Sequence, residues 1–292
     1  MVTNRQIIVS NGVASIVLTT KPYYVKNITG FDSLKITNVT KQGYSQDGSS
    51  LVNSFINERE MSIEGQIKAD TVYEMQTLRD YLSNLFKPKT DLQVIHTYGD
   101  ITRVITVRVT VTPQFTFSEV SKIQNYTVSM VAVEPYWRDR YETLVEMAET
   151  TGDFHFPLAI PEQGAIFGIK NTSTIVNIYN SSSIPVGMHL RFVANGTVVN
   201  PAIINLETRE CIKFNCTLHQ GDFIDVQTGS EKKAVSNIGG VEASAIGKLD
   251  IANGNATFIE LDPGDNVFRY FADSGESFLV VKVYFYNKFA GV

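Results

Sequence analysis

The tightest constraint in this sequence is an alternation. Residues 102–112, TRVITVRVTVT, place Ile105, Val107, Val109 and Val111 on one side and Thr106, Arg108, Thr110 and Thr112 on the other. A period of two is that of a β-strand, and a strand with one apolar side needs partner strands and a core to cover it. Two further segments repeat the pattern. MSIEGQI (61–67) sets Met61, Ile63 and Ile67 against Ser62, Glu64 and Gln66, and NYTVSMVAV (125–133) sets Tyr126, Val128 and Met130 against Thr127 and Ser129. The predicted fold class is therefore mainly β.

One segment breaks this period. In TVYEMQTLRDYLSNLFKP, Met75, Leu78, Leu82 and Leu85 recur at three- and four-residue steps, which lines one face of a helix. Thr71 and Glu74 have the spacing of a capping box, and Pro88 ends the run. One helix laid on sheets makes the N-terminal part an α+β domain, with sandwich-like or barrel-like sheets. QGYSQDGSS (42–50) lies between strand-like runs and predicts a long hairpin tip or arm, while VSNG near residue 11 predicts a tight turn.

At 292 residues the chain exceeds what one core usually supports, so two domains are expected. The alternation lapses after the only tryptophan, Trp137, where RDRYETLVEMAETTGD gains charge. The predicted division is a first domain over 1–137, a linker over 138–153 with a possible short helix from Glu142 to Glu149, and a second domain over 154–292. In the second domain IVNIYN, MHLRFVANG, CIKFNCTL, FIDVQTG, TFIELDPGDN, VFRYF and FLVVKVYFYN alternate with turn residues. This spacing predicts an antiparallel β-sandwich, with tight turns at ANGTVV and LDPGDN and with FLVVKVYFYN as a central strand.

Charge excludes some functions. Lys and Arg number 15 against 13 Asp and Glu over residues 1–140, and 10 against 17 over 141–292. The basic residues are scattered, so no specific nucleic-acid binding is expected. Ser10, Asn11 and Gly12 interrupt the apolar N-terminus, and no stretch is long enough to span a bilayer, so a soluble cytoplasmic product without membrane insertion is expected. On that expectation the eight Asn-x-Ser/Thr triplets are chance matches in an Asn- and Thr-rich β protein. Cys211 and Cys216, five positions apart, fall on opposite strand faces and are expected to be reduced packing residues.

Candidate chemistry is sparse. His96, His155, His189 and His219 have no metal-ligand spacing, and neither a Gly-x-Ser-x-Gly elbow nor a phosphate loop occurs. Glu207, Glu210, Asp222 and Asp225 are carboxylates in a predicted sandwich, but a glycosidase pair is defined by separation across a cleft, which sequence spacing does not supply. No catalytic, cofactor-binding or metal residue is assigned, no cofactor is expected, and the chain is read as non-enzymatic. Most aromatics of the last strands, Phe258 to Phe289, are expected in the core. A few exposed rings on a sandwich would suit sugar stacking or a protein interface.

Three segments in order, EREMSIEGQIKAD, LRDYLSNLFKP and YTVSMVAVEPYW, resemble the distal tail protein (Dit) family of long-tailed bacteriophages. More weakly, NPAIINLETRE, LHQGDFIDVQTGSEKKAV and LDPGDNVF are similar to the galectin-like or carbohydrate-module-like sandwich of many Dit C-terminal halves. The resemblance implies that Pro-Tyr-Trp closes the first domain, with Pro135 stopping the ladder and Trp137 plugging its end. It also implies a virion component at the distal end of the tail that forms a hexameric ring and lets DNA pass. The implied partners are the tail tube protein, a tail-associated, tail-fibre or lysin protein, and a receptor-binding protein. The alternative reading is an adhesin whose C-terminal sandwich binds host cell-wall polysaccharide.

Overall fold

The computed structural model describes residues 5–45, 47–116, 122–147, 149–152, 168–171 and 174–292. They form two compact units. The first contains β1 (Arg5–Ser10), β2 (Ser15–Val17), β3 (Tyr23–Thr29), β4 (Ile36–Lys41), β5 (Ser50–Ile56), β6 (Arg59–Lys68), α1 (Val72–Leu85), β7 (Asp91–Tyr98), β8 (Ile101–Thr116), β9 (Ile123–Ala132) and β10 (Trp137–Asp139). Its main sheet is antiparallel, in the order β2-β1-β7-β8-β9-β6-β3, and β10 adds to β8. The alternating residues sort as their period demands. Ile105 and Val107, Met61, Ile63 and Ile67, and Tyr126, Val128 and Met130 are all buried in one core, while Thr106, Arg108 and Glu64 face solvent. The alternation fades along β8, where Val111 is 40% exposed. There the β8–β9 register shifts twice, between Val109 and Val111 and between Val111 and Gln114, and Pro113, which has no N–H for a ladder, falls inside the second shift.

The helix packs Met75, Leu82 and Leu85 into the same core. The Glu74 backbone N–H donates to Thr71 Oγ1 at 3.1 Å, as the cap requires. The Glu74 carboxylate accepts from the Asp70 N–H at 2.7 Å, one residue before the position a strict capping box would use. At the turn after β1, Asn11 Oδ1 accepts from Val13 and Ala14, and Gly12 supplies the left-handed conformation at φ 85°. Gly65 on β6 is needed for a different reason. A Cβ there would stand 2.3 Å from the Tyr24 carbonyl oxygen and 2.4 Å from the Tyr126 hydroxyl.

The second unit contains β11 (Thr143–Glu146), β12 (Glu149–Gly152), β13 (Gly168–Asn171), β14 (Ile175–Asn180), β15 (Met188–Ala194), β16 (Val198–Val199), β17 (Ala202–Asn205), β18 (Cys211–Lys213), β19 (Thr217–Leu218), β20 (Phe223–Gln227), β21 (Lys233–Ile238), β22 (Val241–Ser244), β23 (Gly264–Phe271) and β24 (Leu279–Phe285). A six-stranded sheet in the order β11-β24-β15-β20-β21-β22 and a four-stranded sheet in the order β14-β23-β17-β18 share one apolar core, which makes the expected antiparallel sandwich. FLVVKVYFYN forms β24, paired on both sides, so its two apolar faces have a reason. TFIE (257–260), expected as a strand, joins no ladder, and isolated bridges flank it at Ala256 and Leu261. The LDPGDN turn uses Gly264 at φ 95°, whereas neither Asn195 nor Gly196 has positive φ. Gly196 lies instead against the Phe278 ring, where a Cβ would come within 2.7 Å.

The division of the chain differs from the one read off the sequence. The first unit takes Met1–Arg140 and Lys288–Val292, and the second takes Tyr141–Asn287. Over the stretch predicted as linker and short helix, Thr143–Glu146 is strand β11, which pairs with β24, and Glu149–Gly152 pairs with Gly168–Asn171. The expected second-domain start at 154 lies outside the described residues. After β24 the chain re-enters the first unit as β25 (Lys288–Phe289), which pairs with β10. Pairing over such sequence distance leaves no local signal. The second unit is thus an insertion between the last two strands of the first.

Candidate functional site

Three features of the described residues bear on function: a closure at the end of the first unit, an exposed hairpin on that unit, and the outer sheet face of the second unit. The closure is built on Trp137. Its ring is fully buried, 5.4 Å from Phe31 and 6.2 Å from His96 between centroids, and its Nε1–H donates to the Phe31 carbonyl at 3.0 Å. That is the plug expected from Pro-Tyr-Trp. Its partner is Arg59, 2% exposed, which donates to the carbonyls of Pro135 at 2.6 Å and of Gly30 and Phe31 at 2.9 Å each, and to that of Ala290. Burial lowers the Arg59 pKa and Asp32 opposes that shift. Arg103 donates to the Gly291 carbonyl and lies 3.9 Å above the Phe289 ring, which fastens the returning segment. Arg59 has a sequence signature that is easily passed over: it stands in phase with Met61 and Ile63, on the core face of β6.

His96 belongs to this closure. It is buried, and its Nε2 accepts from Arg5 Nε at 3.0 Å. Burial, then the charge of Arg5, with Arg103 adding and Asp32 opposing, pushes its pKa down to about 4, so the ring is neutral at ordinary pH.

The hairpin β4–β5 is the predicted arm. It pairs only with itself, and every residue of both strands is exposed. Ile36 is 57% exposed, Leu51 and Val52 63% each, and Phe55 53%. An isolated two-stranded hairpin is marginally stable in water, and large apolar groups on both its faces mark a surface that a partner covers.

In the second unit the candidate carboxylates separate. Glu207 and Glu210 sit in the β17–β18 turn of the four-stranded sheet, where Asn205 Oδ1 accepts from the Glu207 N–H at 2.9 Å. Asp222 is a buried turn residue that accepts from the N–H groups of His219 and Gly239 at 2.8 Å each. Asp225 is on the six-stranded sheet, bidentate with Arg191 at 2.7 and 2.8 Å and 3.0 Å from His189 Nε2. Burial pushes the Asp225 carboxyl up, but the hydrogen bonds of Arg191 and His189 and the Arg191 charge outweigh it and hold the pKa at about 2. The four are not gathered into an acid–base pair. His219 is in an exposed turn, and His155 lies outside the described residues. Cys211 and Cys216 are free thiols, the former buried with its pKa pushed up to about 11 by that burial. Among the described residues no group of His, Cys, Asp and Glu is arranged to hold a metal ion, and no helix is long and apolar enough to cross a membrane.

Residues 12–132 match the family model of the phage tail protein RIFT-related domain. The matched residues lie within the first unit. Three solved structures share the fold of the chain beyond this domain. The SPP1 Dit protein, described as a paradigm of hub adsorption apparatus in Gram-positive infecting phages, is 14% identical, with a TM-score of 0.67 over 98% of this chain and 99% of that one. A chain of the phage p2 baseplate in its activated conformation with Ca is 11% identical, with a TM-score of 0.54 over 99% of each chain. Its counterpart with Sr is 10% identical, with the same TM-score and coverage. No curated protein sequence matches. The family match ends at Ala132, at the close of β9. Trp137 itself and the C-terminal segment that packs with it lie beyond the matched residues, whereas Phe31, Arg59 and His96 lie within them.

Proposed function

We propose that this chain is a structural hub of a phage tail tip or baseplate, a hexameric ring at the distal end of the tail. The ring joins the tail tube to the tail-associated protein and the adsorption apparatus. The observation that carries the reading is the order of the parts: a phage tail RIFT-related domain leads, and the fold of the whole chain, both units in sequence, is that of a phage hub protein over 98% of its length.

A ring requires one heterologous contact, repeated until it closes. The β4–β5 arm supports that contact. It presents apolar side chains that its own unit leaves uncovered, and a second copy of the chain is the partner a ring supplies for all of its arms at once. The scatter of Lys and Arg suits a lumen that releases DNA.

The test is the solution mass of the full chain by size exclusion with light scattering, beside a variant with Leu51→Ser and Phe55→Ser in the arm. The expected result is a species near six times the 32.5 kDa chain mass that falls to smaller species in the arm variant. A monomer at high concentration with the arm intact would contradict the reading.

A further inference from the structure

We propose that Arg59 and the C-terminal segment 288–292 grip the two feet of the β4–β5 arm and so aim it for assembly. The proposal rests on the reading of the arm as the subunit contact. The chain enters the arm through Gly30, Phe31 and Asp32, pairs from Ile36 to Ile56, and leaves through Asn57 and Arg59. The Asn57 N–H donates to the Lys35 carbonyl at 2.9 Å, which closes the hairpin at its base. Below that base the two feet touch backbone to backbone. Gly30, at φ 78°, lies where a Cβ would stand 2.0 Å from the Glu60 carbonyl oxygen.

The grip acts on the main chain. Arg59 donates to the carbonyls of Gly30 and Phe31 on the entering foot, of Pro135 beside Trp137, and of Ala290 on the returning segment. Gly291 presses on the next residue of that foot, where a Cβ would stand 2.8 Å from the Asp32 carbonyl oxygen. The segment is itself pinned by Arg103 over the Phe289 ring and by the ion pair of Lys288 with Glu134. A plug alone would be better made of apolar side chains, because burying a guanidinium carries a desolvation cost that a hydrophobe of similar volume avoids. What an apolar group lacks is a rigid planar fork of donors that holds several carbonyls in fixed directions.

Direction matters because the arm is a lever. Strands of six and seven residues are about 20 Å long, so a swing of about 20° at the feet moves the tip by about 7 Å. An arm fixed in direction meets a neighbouring copy without first losing that freedom, which removes part of the ordering cost of association. The grip also draws on distant parts of the chain. Ala290 is 231 positions from Arg59 and Gly291 is 188 from Arg103, and the second unit lies between them in sequence. During synthesis the arm is therefore aimed only after the second unit has been made, which keeps incomplete chains out of the assembly.

The test reads aim and assembly separately. Spin labels at Lys41→Cys on the arm and Thr106→Cys on β8, both exposed, would be placed in the full chain carrying Cys211→Ala and Cys216→Ala. Double electron–electron resonance on samples diluted with unlabelled chain then gives the distance between arm and sheet. One narrow distribution is expected, and Arg59→Met and Phe289→Ala should each spread it by up to about 7 Å. Light scattering should show each variant needing about tenfold more protein for half assembly, with far-UV circular dichroism unchanged. Phe289→Ala loosens the returning segment and leaves Arg59 in place, so it decides the question if Arg59→Met does not fold. A distribution that stays narrow in Phe289→Ala, or undiminished assembly of that variant, would overturn the proposal. A monomeric chain whose arm distribution both variants spread would sink the ring reading and leave the grip, and a ring whose arm ignores both variants would sink the grip alone.

Discussion

At the scale of single residues, Trp137 and Arg59 bear the most. The indole fills the end of the first core and also satisfies the Phe31 carbonyl. Trp137→Ala leaves a large cavity in this core, so a loss of about 3–5 kcal/mol is expected. Urea denaturation followed by circular dichroism would measure it. His96 gives the same core a dependence on pH. Its folded pKa of about 4 lies below the unfolded value near 6.5, so the unfolded chain binds the proton first. The stabilisation is complete above about pH 6.5 and is lost as pH falls toward 4, on the order of 2–3 kcal/mol. In the second unit the Asp225 contribution holds down to its ordinary value of 3.8 and is lost only from there toward pH 2. Trp137, as the only tryptophan, reports on the first unit alone. Its emission should therefore show a urea midpoint that declines between pH 6.5 and 4, and His96→Gln should flatten that decline. Tryptophan as a cap was legible because it follows a strand and a proline. Arg59 was not, because the sequence lists it as one more charge and only its phase on β6 places it inside.

At the scale of elements, local rules did well where a strand or helix is governed by its own neighbours. The alternations at 61–67, 102–112 and 125–133 became β6, β8 and β9, and the helix lies within a residue or two of its cap and its proline. Thr71→Ala should cost about 1 kcal/mol, because it strips the acceptor from the Glu74 N–H, and thermal melting would register it as a small downward shift. Local rules failed where long-range pairing decides. Thr143–Glu146 carries charge and no clean period, yet it is a strand because β24 offers it an edge. The outward face of the second unit was invisible for the same reason. His189, Asp225 and Tyr284 are far apart in the chain, and only the register of β24, β15 and β20 stands them side by side.

At the scale of the whole molecule, the chain's path ties its two ends to one unit. Lys288–Val292 complete the first unit through the β10–β25 pairing and the carbonyls that Arg59 and Arg103 hold. Deleting residues 288–292 should therefore lower the unfolding midpoint seen by Trp137 fluorescence while leaving that of the second unit, followed by circular dichroism, close to its original value. The length of the chain announced two units, but the insertion that joins them is a property of topology. Assembly is the claim on which the functional account turns, and it rests on the match of residues 12–132 to the RIFT-related family model, the fold shared with the SPP1 Dit protein and an arm with no cover of its own. Negative-stain microscopy of the purified full chain is the most direct measurement. Class averages should show sixfold rings with a central hole. Fields of single two-lobed particles at every concentration would contradict the account.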